Sequence, residues 1–347
     1  MIDRNTDFFK IDDNFAKTAH IPSIPIVQAK LDFVPKVTIA IPTFKRPILL
    51  REALDSALNQ TNFSDYEIIV VDNNPERGCE TEKLISSYSE KRLSYYKNSE
   101  NLGMVANWNR CYELAKGEWV VMLHDDDLLY SHYLKTMYDF LNKFDNNIDA
   151  IYPSINIFDN RISNQTRKPK YCKKIVYRKL KYTDFLWGNI VGTPTGMFVK
   201  KNSLLDIGGF NDSYYPSFDF AFNVYFSYYY NSIKIWNNDM CIYRISENES
   251  LKKETLINFV IKDRLIKKTI VKQSKKKPIL WHCYIDIFSL YYLNMMQKIF
   301  NIKDLDKRHI ENKLNLNNNL INSICYRLFN LYKKIDFRIH KNKLTLK

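Results

Sequence analysis

Neither glycine-rich loop that commonly cradles nucleotide phosphates is present. The sequence holds no GxGxxG and no GxxxxGK[ST], which excludes a dinucleotide-type Rossmann loop and a P-loop. Its cysteines lack a pattern as well. Cys79, Cys111, Cys172, Cys241, Cys283 and Cys325 are scattered without a CxxC pair, so neither a zinc centre nor a disulfide framework is expected and a reducing compartment fits. The opening stretch, MIDRNTDFFKIDD, has no basic-then-apolar order, so no secretory signal is visible and a cytoplasmic location is expected. No internal repeat occurs. The apolar stretch Ile279 to Phe300 is interrupted by His282, Asp286, Ser289, Asn294, Gln297 and Lys298, several of them on one helical stripe, which argues against a membrane span.

Positive charge is plentiful. Lys and Arg number 52 against 38 Asp and Glu, a formal charge of +14 that predicts attraction to phosphate, whether of nucleotide, anionic lipid or nucleic acid. Much of the excess lies late, in Lys252, Lys253, Lys267, Lys268 and Lys275 to Lys277, and a compositional bias explains it equally well. No RNA or DNA motif accompanies the charge, so no nucleic-acid partner is expected, although a basic nucleic-acid-binding protein stays open as a rival reading.

The 347 residues suffice for one large domain or two ordinary ones. Residues 1–35, with Pro22, Pro25 and Pro35 and no sustained period, read as a leader draped on the body. From Lys36 strands and helices alternate. Val37 to Ile41 is a β-branched run stopped by Pro42; Ile48 to Gln60 sets Leu49, Ala53, Leu54, Ala57 and Leu58 on one helical face. Tyr66 to Val71 and Leu93 to Lys97 read as strands, Glu80 to Tyr88 and Met104 to Ala115 as helices. This order predicts a doubly wound, mostly parallel sheet flanked by helices. Beyond it, Ala150 to Phe158 reads as a strand, Asp159 to Arg178 as an irregular basic loop, and the chain from Leu251 as mainly helical. Residues 1–35, 36–248 and 249–347 are therefore expected as leader, α/β domain and C-terminal helical region.

The segment GEWVVMLHDDDLL, Gly117 to Leu129, runs an apolar strand into Asp125, Asp126 and Asp127. Ligands of open α/β sheets bind at that end of the strands. Three adjacent carboxylates repel one another unless a cation shares the site, which suits a hard divalent metal. Capping of a following helix, Ser131 to Phe144, accounts for them equally well on this segment alone. Pro42-Thr43 and Asp72-Asn73-Asn74 end neighbouring strands at the same rim.

These segments together resemble the family 2 glycosyltransferases of GT-A fold. The likeness runs roughly from Lys36 to Arg244 and rests on VTIAIPTFKR, EIIVVDNN, NLGMVANWNRCYELAKGEWVVMLHDDD, GTPTGMFVKK and GGFND, with Asp219 beyond the last. It implies a metal-dependent inverting transferase moving sugar from a UDP-sugar, or in second place a dTDP-sugar, to a hydroxyl of a glycan or lipid-linked glycan. The setting would be bacterial surface polysaccharide or glycoconjugate synthesis. Pro42 and Thr43 would close over the base, and Asp72, an acceptor-only carboxylate, would meet its ring N–H. Asp72 as a turn residue and Thr43 as a helix cap are the alternatives. Asn101 and Gly103 would belong to a loop over the nucleotide, Gly103 equally to an ordinary turn.

The triplet corresponds to the family's DxD motif, which holds Mn2+ or Mg2+. Two registers are open: Asp126 preceded by His124 in the first acidic position, or Asp125-x-Asp127 read directly. Asp126 is the preferred ligand. Asp127 coordinates or caps, Asp125 meets ribose or sugar, and His124 ligates or packs. Asp219 aligns with the catalytic base, with Asp212 in reserve; Phe218 stands where the family often has Glu, which keeps a catalytically silent scaffold open. Thr193, Thr195 and Gly196 would line the acceptor side. With the late lysines, Ile279 to Phe300 either packs on the body or lies peripherally on the inner face of a membrane. A homo-oligomer is left open.

Overall fold

The computed structural model describes residues 8–144, 147–159, 168–172, 174–245, 253–274, 278–299 and 320–345. The expected features at Lys252, Lys275 to Lys277, Asn315 to Asn319, most of the 159–173 loop and the Cys325 side chain lie outside the described residues and side chains.

The strands are β1 (Ser23–Val27), β2 (Val37–Thr43), β3 (Tyr66–Asp72), β4 (Leu93–Asn98), β5 (Trp119–Met122), β6 (Leu128–Leu129), β7 (Ala150–Asp159), β8 (Lys174–Leu180), β9 (Phe198–Lys200), β10 (Ser232–Ile245) and β11 (Asn342–Thr345). They join in one sheet of order β1-β4-β3-β2-β5-β9-β7-β10-β8-β11, with β6 on β10. Its central block, β4-β3-β2-β5, is parallel, as the β-α-β order requires. Antiparallel β9 joins that block to β7, which runs parallel to β10.

Alternation along the central strands builds two cores. Val37, Ile39 and Ile41 of β2, Ile68 and Val70 of β3 and Val121 of β5 face one way, against α1 (Pro47–Leu58), α2 (Glu80–Ser86) and α4 (Tyr133–Leu141). Ala40, Ile69, Val71, Val120 and Met122 face the other, against α3 (Met104–Leu114), α5 (Lys201–Asp206), α6 (Phe218–Tyr229), α7 (Lys253–Ser274) and α8 (Pro278–Ile299). Strands covered on both faces read as unbroken apolar runs, and these do. The last helix, α9, spans Leu320–Ile339.

Several local expectations need correction. Within the leader, Ser23–Val27 forms β1 on the edge of β4, and Pro25 is tolerated because an edge strand can do without one N–H; the register shifts between Pro25 and Val27. Pro42 does not stop β2, since the strand continues through it to Thr43 opposite Asp72. The buried face of α1 is Leu50, Ala53, Leu54 and Ala57, one step round from Leu49. Lys174–Leu180 is a strand in the supposed loop. The 14-residue β10 escaped notice because its apolar pattern breaks at Asn237-Asn238-Asp239, where its register on β7 shifts. The expected helix appears as α8, Pro278–Ile299, with Tyr284, Ile285 and Leu293 buried, which is the packing alternative; Phe300 lies outside the described residues.

Candidate active site

The C-terminal ends of β3, β2 and β5 bring Asp72, Thr43 and the acid triplet to one rim, as parallel pairing dictates. Asp72 is fully buried. Its Oδ2 accepts from the Tyr95 hydroxyl at 2.7 Å and the Lys97 ammonium at 3.0 Å, and its Oδ1 from the Asn74 N–H at 2.9 Å. Lys97 is itself 2% exposed, so charge and counter-charge are enclosed together. Burial and the Asp72 charge push the Tyr95 hydroxyl far above its ordinary range, which keeps it a donor.

An asparagine network sets the neighbouring loop. Asn98 donates to Asn73 at 3.1 Å and to Asn107 at 2.8 Å; Asn73 donates to Asn101 at 2.7 Å and accepts from the Leu102 N–H at 2.9 Å. Gly103 starts α3 at φ 78°, a left-handed conformation that explains the glycine. A Cβ there would meet nothing within 4 Å.

The triplet does not cap a helix. β6 intervenes, and α4 begins only at Tyr133 with His132 before it, so the capping alternative falls. Thr43 donates to Asp125 at 2.7 Å and Arg46 to Asp126 at 3.1 Å. Asp127 is fully buried, accepting from the Arg244 N–H at 2.8 Å and from the Thr195 hydroxyl. His124 Nδ1 lies 2.9 Å from Thr195 Oγ1 and 3.5 Å from Asp127 Oδ2. Arg244 Nε meets the Asp126 carbonyl and its Nη1 meets Glu52 at 2.7 Å. Burial and Asp126 push Asp125 up to about 6, and burial and Asp127 raise Asp126. Burial lowers the His124 imidazole, but Asp127 and the other two acids outweigh it and the net shift is upward.

One atom each from His124, Asp126 and Asp127 can be chosen so that all lie within 4.8 Å of one another. Two hard carboxylates with an imidazole form a donor set for Mn2+ or Mg2+, and His124 Nε2 is buried without a hydrogen-bond partner among the described residues. The residues present therefore fit a divalent metal. Packing and ligation are compatible for His124, whose ring stacks on Trp108 at 4.5 Å.

Trp108 also meets Phe218 edge-on at 4.9 Å, which ties the triplet to the start of α6. There Asp219 is partly exposed, and crowding by protein, with Asp263 nearby, pushes its carboxyl up to about 7. Asp212 is exposed and paired with Lys17 at 2.7 Å. Of the expected acceptor-side residues, Thr193 is partly exposed, whereas Thr195 and Gly196 are buried. Thr195 braces Asp127 instead, and a Cβ on Gly196 would come within 2.8 Å of Cys241 Sγ.

The family model described as glycosyl transferase family 2 matches residues 38–208, the stretch holding the rim and the triplet. Over those residues, just under half of its length, the chain is similar to that family. A glycosyltransferase relative from Campylobacter jejuni, GalNAc(5)-diNAcBac-PP-undecaprenol beta-1,3-glucosyltransferase, is 30% identical over 183 residues, covering 52% of this chain and 57% of that protein. The Staphylococcus aureus TarS 1-349 structure in complex with UDP-GlcNAc superposes with a TM-score of 0.53 at 17% identity, over 79% of this chain and 77% of that one. The mannosyltransferase PcManGT from Pyrobaculum calidifontis, in complex with GDP-Man and Mn2+, gives a TM-score of 0.51 at 16% identity over 82% and 79%. These two likenesses establish the GT-A glycosyltransferase fold. The chain spans between about a fifth and somewhat over half the length of the first curated relatives it matches.

Sequence reasoning passed over Arg46, Lys97, Tyr95, Asn98 and Arg244, and gave Asn73 no role beyond its place in a strand-end cluster. Lys97 carried a signal, a cation two residues after a tyrosine at a strand end beside the Asp72 strand. Arg244 carried none, because its strand was not recognised.

Proposed function

We propose that this chain is an inverting, metal-dependent glycosyltransferase using a UDP-sugar, with a dTDP-sugar as second choice, and a hydroxyl of a glycan or lipid-linked glycan as acceptor. Bacterial surface polysaccharide or glycoconjugate synthesis is the setting, in the cytoplasm. One observation carries the reading: three mutually close ligand atoms of His124, Asp126 and Asp127 stand at the sheet rim, and Trp108 links them to a carboxyl whose affinity for protons is raised.

Pro42, Thr43, Asp72, Asn101 and Gly103 frame the nucleotide, with Lys97 and Tyr95 fixing the Asp72 carboxylate and the asparagines fixing the loop. Asp125, held by Thr43, faces the ribose or sugar. His124, Asp126 and Asp127 would hold Mn2+ or Mg2+, which when bound supplies positive charge for the diphosphate as it leaves. Asp219 takes the proton of the acceptor hydroxyl while that oxygen bonds to C1 and the C1–O bond to the diphosphate breaks, inverting the centre. A carboxyl titrating at about 7 suits this base. Thr193 faces the acceptor. The Campylobacter relative is named for transfer to an undecaprenol-linked glycan, and the TarS structure holds UDP-GlcNAc, which support the donor and acceptor classes.

The test is nucleoside diphosphate release from a panel of UDP-, dTDP- and GDP-sugars with Mn2+ or EDTA, in wild type, Asp126→Asn and Asp219→Asn. Release from one donor that EDTA abolishes and both substitutions remove is the expected result. Folded protein that neither binds nor turns over any donor overturns the proposal in favour of a silent scaffold.

A further inference from the structure

α9 presents an apolar face that the fold leaves mostly exposed, with Tyr332 at its edge reaching the body, its ring 5.6 Å from that of Trp187. Its inward side is fixed by Phe329, whose ring lies 4.6 Å from that of Tyr284, by Lys333, which donates to the Trp187 carbonyl at 2.9 Å, and by Asp336, which accepts from Arg178 at 3.0 Å. Helical periodicity places Leu328, Leu331, Tyr332, Ile335 and Ile339 together on another side. They are 62%, 57%, 56%, 46% and 70% exposed. Beside the stripe stand exposed Arg327, Lys334 and Arg338, and beyond the helix end Lys341 and Lys343 are exposed as well. The helix carries a single acid, Asp336, and it is engaged by Arg178 and by His340 at 3.3 Å.

We propose that α9 is a docking helix for an anionic bilayer surface, lying in the interface with its apolar stripe at the acyl boundary and its cations against lipid phosphates. Charge complementarity selects this occupant. A second copy of the chain, packed face to face on the same stripe, would set the same cations against one another. Among the described residues no helix is long and apolar enough to cross a membrane, so the helix lies on the surface. The surface is distinct from the sugar-nucleotide site, and the proposal does not depend on the donor chemistry.

The experiment is flotation of the full chain with vesicles of phosphatidylcholine containing phosphatidylglycerol, against phosphatidylcholine alone, at low and high salt. Wild type is expected to float with the anionic vesicles at low salt only. Binding should fall at least about tenfold in the double variant Leu331→Glu/Ile335→Glu and roughly fivefold for each charge removed in Lys334→Gln and Arg338→Gln. Circular dichroism and UDP calorimetry on the same variants separate loss of docking from loss of fold or of donor binding. Hydrogen exchange on wild type gives a reading that needs no variant, with vesicle-induced protection expected over 327–343. Failure of wild type to float, equal flotation of the variants, protection confined to other segments, or a wild-type dimer that the Leu331/Ile335 variant dissociates would each overturn the proposal.

Discussion

Two acidic sites stand on either side of β2, at the ends of β3 and β5, and the chain neutralises them differently. Asp72 has its counter-charge inside the molecule: Lys97 at 3.0 Å and Tyr95 at 2.7 Å, all enclosed. The triplet has carboxylates in excess. Arg46, whose side chain is 42% exposed, is a cation on Asp126 and lies 3.7 Å from Asp125, while the Arg244 guanidinium meets the Asp126 carbonyl and Glu52. Proton affinity records the difference in Asp125, pushed up to about 6. A carboxylate already paired in the interior shapes a pocket; a cluster left with surplus negative charge has room for an added cation.

The sharpest way to break this comparison is Asp126→Asn. Metal-dependent donor turnover should fall on the order of a thousandfold, while stability to urea holds or rises slightly because a repulsive charge is removed. Mn2+ binding by calorimetry and turnover are the readouts, and unaltered metal affinity would refute the assignment. Next in size, Lys97→Met leaves the Asp72 carboxylate buried without its cation and should cost about 3–5 kcal/mol in urea unfolding. Asp72→Asn introduced into that variant should recover part of the loss. Simple additivity of the two substitutions would mean that the pair is not coupled.

How far the sequence discloses these two sites follows from what makes a pattern visible. Strands buried on both faces announce themselves as apolar runs, so β2, β3 and β5 were legible and so were the acids at their ends. The triplet stood out because like charges side by side need a reason. Arg244 was not legible and Lys97 only faintly so, since a lone cation in a strand looks like any surface residue until the partner strand is known. Thr195 misled for a similar reason: GTPTG reads as an open loop, yet its second threonine turns inward beneath Asp127. β10 was lost where its alternation broke, and Arg244 went with it.

The proposed base, Asp219, offers a smaller, graded effect. The protein packed around the partly exposed Asp219 pushes its carboxyl from an ordinary 3.8 up to about 7, and it accepts a proton only as the carboxylate. Turnover should therefore fall about tenfold per pH unit below about 7 and level off above it. The stability contribution has the opposite sign. Between the two values the folded state holds a proton that the unfolded state has released, so this group makes the fold less stable as pH rises through that window. A flat turnover profile from pH 5 to 8 would remove Asp219 from the proton transfer.

The smallest expected effect sharpens the comparison most directly. If Arg46 acts as a stand-in cation on Asp126, removing it should leave the acids freer for metal, whereas removing Lys97 has no such benefit because nothing external replaces it. An exposed ion pair contributes roughly 0–1 kcal/mol, so Arg46→Gln should tighten Mn2+ binding in the absence of nucleotide by up to about fivefold. The gain should shrink at high salt, where the competing pair is already screened. Calorimetric titration at two ionic strengths distinguishes this from a direct role. Weaker Mn2+ binding in Arg46→Gln would mean that the guanidinium supports the metal site, and the contrast with Lys97 would then lie in solvent exposure alone.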